Sequence, residues 1–317
     1  MTREGRRPAQ LHLPSPGVVF SPELIRRFGA FASRTAAAVK REEVGSNQAL
    51  RGEGQEFVGH RPYRPDEDLR QLDWQLLARL DRPFVRIERA SVSETWVVVV
   101  DTSASMGVGV PGKLQSAAEV AAACVSLAVR LGARVALVWM DEGGEPRTVE
   151  VRRGTELQLV LSALEGLRVH SVDPVASSAA SSAGPSAGGL ESHLEGPRAM
   201  LPGLVRRAGG AGRVVLLGDF LDVEQGPLLR ALGGRRRVHL GQVLSPDEWG
   251  PTQGTTWVNP ETGERRGDGQ ARALSGYHQR LDQFLEGWAA HAQAHGMAHA
   301  AWSSGDSFED FLPGLLR

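Results

Sequence analysis

In the run "TWVVVVDTSASMG", residues 95 to 107, four valines deliver an aspartate, Asp101, and serines follow at alternate positions, Ser103 and Ser105. A strand-end aspartate serves several chemistries. A phosphate-transferring site of the haloacid-dehalogenase type needs a second acid two residues on, where this chain has Ser103. An aspartic protease carries Asp-Thr-Gly, and "DTS" lacks the glycine. A serine nucleophile elbow needs Gly-x-Ser-x-Gly, and neither Ser103 nor Ser105 has the first glycine. A purely structural reading also stands: an Asp or Ser can satisfy the free N–H groups at a helix start.

The alternate spacing favours a further chemistry. In a loop leaving a strand, side chains two residues apart can converge on one point. One carboxylate and two hydroxyls form a hard, oxygen-only and under-charged ligand set, suited to Mg2+ or Mn2+. Asp219, which ends the apolar run "RVVLLGD", would complete the shell directly or through water. Such a metal keeps residual positive charge and an open position, so an incoming carboxylate can bind it. That is adhesion rather than bond breaking.

These aspartates need strands to hold them, and the sequence provides an alternation of strand and helix patterns. "WVVVV" reads as a strand covered on both faces. An amphipathic helix from about Lys113 to Leu131 follows, then strands "RVALVWM" and "RTVEVRR" and a helix in "TELQLVLSALEGL" with Thr155 as its cap. Further on, a helix through "LEGPRAMLPGLVRRA" precedes "RVVLLGD". Helix "GPLLRALGG", strand "RVHLGQVL", a hairpin around "TTWVNPETGERRG", a long helix from Ala271, "AHAAWSS" and a last helix complete the chain. This alternation predicts an α/β fold with a mostly parallel sheet flanked by helices, which binds ligands at the carboxyl ends of its strands. Asp101 and Asp219 both fall at such ends.

The ends and linkers divide the chain. Residues 1 to 20 read as a flexible arm. Residues 21 to 91 hold a helix beginning at Ser21 and Pro22, and then a stretch, 51 to 89, with eight arginines among eight acids. Signs interleaved this densely predict an ion-pair network. Residues 92 to 317 form the α/β domain, with a Ser/Ala/Gly-rich mobile loop at about 171 to 189.

With 317 residues, 41% apolar and 23% charged, and a net charge of −1, the composition is that of an ordinary globular protein. A near-neutral balance offers no basic surface for nucleic acid. No run reaches the ~18 uninterrupted apolar residues of a membrane span, and "MTREGRRPAQLHLPSPG" is not a secretion signal, so the cytoplasm is expected. The lone Cys124, in an Ala/Val-rich helix, is read as a small buried apolar residue. Lys40 and Lys113 are the only lysines among 36 basic residues.

"DTSAS" after a buried strand resembles the metal-ion-dependent adhesion motif of von Willebrand factor A-like domains. The ordered set Gly52, Gly54, Glu56, Phe57, Arg61, Tyr63, Asp68, Arg70, Asp73, Trp74, Ala78 and Arg79 before it resembles the bacterial family called domain of unknown function 58. "LLGDFLD" is similar to that family's Ser-Asp-Phe element, with Gly218 where serine is common, and "VLSPDEW" and "NPETGE" are similar to its later turns. The resemblance covers roughly residues 40 to 315. It implies a Rossmann-like sheet with the N-terminal segment packed on it, a metal site, a non-enzymatic role, and partnership with a MoxR-type AAA+ ATPase in chaperone-like assembly or maturation. It also implies a middle hydroxyl ligand, for which Ser192 is best placed, with Ser181 and Ser182 as alternatives.

Arg61, Tyr63, Asp68, Arg70, Asp73, Trp74 and Arg79 then have two readings. They form a self-satisfied polar layer welding the N-terminal region to the sheet, with Tyr63 and Trp74 as packing anchors, or they form a docking surface for the ATPase. His291 and His295 have helical spacing but no accompanying acid in a zinc pattern, and Gly296 separates His299 from them. Asp222 is a second-shell candidate, and Asp141 has no assigned role. A hydrolase acting through Asp101 stays open, with His170 the nearest candidate base, as does a metal-free scaffold.

Overall fold

The computed structural model describes residues 17–45, 55–63, 72–90, 94–141, 145–151, 156–169, 212–221, 225–232, 236–250, 257–258, 265–266 and 271–316. Its centre is β3 (Thr95–Val100), whose five residues from Trp96 onward are all buried. Alternate side chains of a strand point to opposite faces, and the core divides accordingly. Trp96, Val98 and Val100 enter one apolar cluster, while Val97 and Val99 enter the other. A continuous valine run is therefore what a strand between two helical layers requires.

Five parallel strands and one antiparallel edge strand form the sheet. β3 pairs with β4 (Arg134–Met140) on one side and β6 (Arg213–Gly218) on the other, both parallel. β6 continues to β7 (Arg237–Leu244) and β10 (Ala298–Ser303), again parallel. β5 (Pro146–Val151) closes the opposite edge antiparallel to β4. The order β10-β7-β6-β3-β4-β5 means that the chain moves outward one way from β3 and the other way from β6. The two strands ending in Asp101 and Asp219 flank the point where the winding reverses, the place where open α/β sheets leave a crevice for ligands.

α3 (Lys113–Leu131) runs back from β3 to β4 and is buried along nearly its whole length. By length and composition it could cross a membrane, but 72% of it is buried inside this fold. Its alanines let α1 (Pro22–Gly45) approach closely, with Phe28, Phe31 and Ala32 packed into the same cluster. α4 (Leu157–Glu165) and the terminal α8 (Phe308–Leu315) cover this face too. Phe28 and Phe31 meet Phe308 at ring-centroid distances of 5.3 and 5.6 Å, and Arg27 donates to Glu309 at 2.9 Å. On the opposite face, α5 (Gln225–Leu232) contributes Leu228, Leu229 and Leu232, and α7 (Ala271–Ala294) contributes Trp288 and Ala292. α6 (Pro246–Trp249) is a single turn after β7, and β8 (Trp257–Val258) pairs antiparallel with β9 (Arg265–Arg266).

The arginine-rich stretch contains more regular structure than its charge pattern predicts. β1 (Gln55–Pro62) and β2 (Phe84–Ala90) form a two-stranded antiparallel sheet with α2 (Trp74–Leu80) between them. The alternation in "FVRIERA" is a strand signal that the density of opposite charges concealed. Trp74 is corrected from a packing anchor to an exposed residue, with 62% of its surface open, whereas Tyr63 is half-buried. Thr155, the 171 to 189 loop and the helix expected through "LEGPRAMLPGLVRRA" lie outside the described residues. Cys124 is fully buried and burial pushes its thiol up to about 12, so it packs as a small apolar residue.

Candidate functional site

The loop after β3 separates its side chains by alternation. The Asp101 amide donates to the Leu217 carbonyl at 2.8 Å, extending the β3–β6 pairing by one bond. The Asp101 carboxylate then turns back and accepts from the Ser103 amide at 2.9 Å. Thr102 faces the other way, buried, and its hydroxyl donates to the Met140 carbonyl at the end of β4 at 2.8 Å. The Ser103 and Ser105 hydroxyl oxygens stand 3.0 Å apart. A 3-10 turn, Ala104–Gly107, follows, anchored by the fully buried Met106.

That hydroxyl spacing suits a cation. Octahedral Mg2+ with ligands at about 2.0–2.1 Å separates adjacent ligand oxygens by about 3 Å. Asp101, Ser103 and Ser105 thus bring one carboxylate and two mutually bonded hydroxyls into one loop. Ser192, Ser181 and Ser182 lie outside the described residues, as do Asp222 and His170.

Asp219 is arranged differently. It is buried, and one of its oxygens, Oδ2, accepts from the Lys113 ammonium at 2.8 Å. The other, Oδ1, accepts from the Leu221 amide at 3.3 Å, and the Asp219 carbonyl accepts from Gln242 Nε2 at 2.8 Å. Phe220, between Asp219 and Leu221, adopts φ 54, a left-handed conformation that is costly for a bulky residue. Its ring is held in the core against Trp288, with centroids 5.1 Å apart. Packing therefore fixes the turn that directs Asp219.

The ammonium that meets Asp219 belongs to the first residue of α3. The Lys113 side chain has no exposed surface and also donates to Glu248 Oε1 at 2.7 Å. Burial pulls its pKa down, but the carboxylates of Asp219 and Glu248 more than reverse this and leave it above the ordinary lysine value. Glu248 is itself fixed: its Oε2 accepts from the Ser245 amide at 2.6 Å and from the Ser245 hydroxyl at 3.0 Å, completing a capping box on α6. Gly109 (φ 97) lies so close to Ser245 that a Cβ there would stand 2.3 Å from the Ser245 Cβ. The loop after β3 and the turn after β7 are thereby pressed together over Lys113.

Lys113 and Glu248 are the site residues that sequence reasoning misses. A signal existed for each. A cation at a helix N-terminus opposes the helix dipole, and Lys113 is one of two lysines in a chain that otherwise uses arginine. "SPDE" in turn has the capping-box spacing that orients Glu248. Asp141 also gains a role. It accepts from the Glu145 amide at 2.9 Å and pairs with Arg147 at 2.6 Å, closing the β4–β5 turn.

The remaining polar candidates separate in space. His291 and His295 bond to carbonyls of the preceding helical turn, while His299, on β10, bonds to Gln242 at 3.0 Å. Among the described residues no three His, Cys, Asp or Glu side chains converge as a metal group. In the arginine-rich segment, Asp73 caps α2 by accepting from the Gln75 and Leu76 amides and pairs with His60 at 2.8 Å. Arg61 lies on β1 and is half-buried, and Arg79 is exposed in the last turn of α2. Asp68 and Arg70 lie outside the described residues.

Fold and site together define an α/β protein with a mostly parallel six-stranded sheet and an oxygen-rich cluster at its topological switch point. The chain belongs to the family described as protein of unknown function DUF58, whose model matches residues 59–272. It is 28% identical over 257 residues to the uncharacterised proteins Rv1480 of Mycobacterium tuberculosis and Mb1516 of Mycobacterium bovis, covering 77% of this chain and 73% of each relative. Among solved structures, it is similar to the conserved hypothetical protein BatB of Bacteroides thetaiotaomicron, with a TM-score of 0.38 and 14% identity, covering 70% of this chain and 97% of that one. An aerotolerance-related membrane protein of Bacteroides fragilis gives a TM-score of 0.38 and 13% identity, over 70% of this chain and 96% of that one.

Proposed function

We propose that this chain is a non-enzymatic, cytoplasmic protein-binding module of the von Willebrand factor A-like kind. Mg2+ or Mn2+ is held by Asp101, Ser103 and Ser105, with Ser192 as a further hydroxyl ligand and Asp219 behind them, and it receives a carboxylate from a partner protein. The partner is an AAA+ ATPase of the MoxR type. The observation that carries the metal part is the pairing of the Ser103 and Ser105 hydroxyls at ligand-to-ligand spacing beside Asp101, at the switch point of the sheet.

The surroundings of the cluster suit a protein ligand. The two loops that carry these residues also expose apolar side chains: Val108 and Val110 after β3, the latter 88% open, and Leu221 after β6. Apolar groups around a polar centre are what a protein interface buries. Trp74 and Leu80, both exposed on α2, extend the docking reading of the Arg61–Arg79 segment, because tryptophan is a frequent interface anchor. The ATPase assignment rests on the family resemblance.

The hydrolase reading gains less support. Among the described residues the Ser103 hydroxyl bonds to another hydroxyl, and nucleophilic serines need a base. A metal-free scaffold is favoured by one observation, the ammonium already neutralising Asp219.

Affinity capture from the native organism tests the reading, with wild type, Asp101→Ala, and wild type in chelator. An AAA+ ATPase retained by wild type alone supports it. Equal retention in all three arms would remove the metal from the interaction. Metal-dependent turnover of phosphatase or esterase substrates, lost in Asp101→Asn, would replace the binding role with catalysis.

A further inference from the structure

We propose that Lys113 is the resident cation of this site, holding Asp219 out of the metal's coordination shell so that Asp101 is the one carboxylate of the β3–β6 pair that touches the metal. The inference rests on the metal reading above and assigns a role to a residue outside the adhesion motif.

The geometry supports the assignment on three counts. First, Asp219 has an assigned donor for each carboxylate oxygen, Lys113 Nζ on Oδ2 and the Leu221 amide on Oδ1. Second, the ammonium is not positioned to withdraw. It has no exposed surface, and Glu248 also holds it at 2.7 Å. Withdrawing it would strand a buried carboxylate, which proteins avoid. Third, Glu248 is fixed by the Ser245 capping box, and Tyr277 donates to its carbonyl at 2.7 Å, so the grip is part of a rigid turn. A divalent cation bound directly to Asp219 would sit beside a fixed ammonium and be repelled by it.

The consequence concerns function. A metal shell with a single carboxylate from these two strands keeps more positive charge than one with two. It binds metal more weakly and an incoming acidic side chain more strongly. Lys113 is a positioning residue that sets this balance through Asp219.

The test is calorimetric titration of Mn2+ into the full chain as wild type, Asp219→Asn, Lys113→Gln and the double variant Lys113→Gln/Asp219→Asn. Circular dichroism checks that each is folded. The proposal expects Asp219→Asn to leave the Mn2+ Kd within about threefold of wild type and Lys113→Gln to tighten it by about tenfold or more, since ligand charge count tunes affinity. The double variant should lose that gain. A gain that survives in the double variant would overturn the proposal, because the effect would then be loss of charge and not release of a ligand. A loss of about tenfold or more in Asp219→Asn would also overturn it while leaving the metal reading intact. If Lys113→Gln does not fold, the Asp219→Asn arm decides alone, since that variant keeps Lys113 paired with Glu248. If neither wild type nor Lys113→Gln binds Mn2+, the metal reading falls and this proposal with it.

Discussion

Asp101 and Asp219 occupy equivalent places, each one residue beyond neighbouring parallel strands, and they differ in burial and in the partners that hold them. Asp101 is half-buried and its carboxylate accepts from the Ser103 amide, in a loop whose Ser103 and Ser105 hydroxyls bond to each other. Asp219 is buried against an ammonium that is itself sealed from solvent. The same residue type at the same end of a sheet thus serves two physical ends. One accepts from a backbone amide in the loop after its own strand. The other is neutralised internally and ties β6, α3 and the turn after β7 into one unit. Spacing in sequence identifies both strand ends, but the partner that distinguishes them arrives from another element.

The most disruptive way to break the comparison is to remove the cation. Lys113→Met leaves Asp219 as a buried charge without its cation, and unfolding in denaturant should show a loss of about 3–5 kcal/mol. A smaller loss would mean that water or a rearranged side chain reaches Asp219.

His239 sharpens the comparison, because it is a buried titratable group kept neutral instead of paired. Its Nδ1 lies 2.6 Å from the Leu315 carbonyl and so donates to it, while its Nε2 has no partner among the described residues. Burial, together with Arg213 and Arg237, pushes its pKa down to about 4. The unfolded chain takes up this proton near pH 6.5 and the folded chain only near 4. The stabilising contribution is therefore complete above pH 6.5 and declines as pH falls toward 4, by up to about 3 kcal/mol. Denaturant midpoints across pH 4 to 7 should show that slope in wild type and a flatter one in His239→Leu.

Gly218 separates the two aspartates, and a Cβ added there would stand 2.8 Å from the Asp101 Cβ and 2.9 Å from its Oδ2. Gly218→Ala should cost about 1–3 kcal/mol through this crowding and should weaken Mn2+ binding by displacing the Asp101 carboxylate. The smallest stability effect belongs to Asp101→Asn, which keeps the acceptor for the Ser103 amide. It should stay within about 1 kcal/mol of wild type in the same unfolding assay.

Much of this architecture was legible in advance, for reasons that particular residues make plain. The β-branched valine run of β3 has the pattern of a strand covered on both faces, and α3 runs from Lys113 to Leu131, as its apolar periodicity predicts. The alternation of strands and helices placed Asp101 and Asp219 at carboxyl ends. The antiparallel setting of β5 was not legible, since a half-buried edge strand pairs in either direction. Neither was the β1–β2 pair, whose alternation lies among opposite charges that read more readily as ion pairs. Lys113 and Glu248 were missed because they lie 135 residues apart and become partners only when α3 and the turn after β7 meet above the sheet. The exposure of Trp74 is not legible in the sequence, because tryptophan is so often a core residue and nothing local in "LDWQLLARL" shows that its face stays open.

The central claim is that Asp101, with Ser103 and Ser105, holds a divalent metal. Calorimetric titration of Mn2+ into wild type and Asp101→Ala, both verified as folded, tests it most directly. The account predicts one site per chain in wild type and none in Asp101→Ala. Absence of binding in wild type, or equal binding in both proteins, would contradict it.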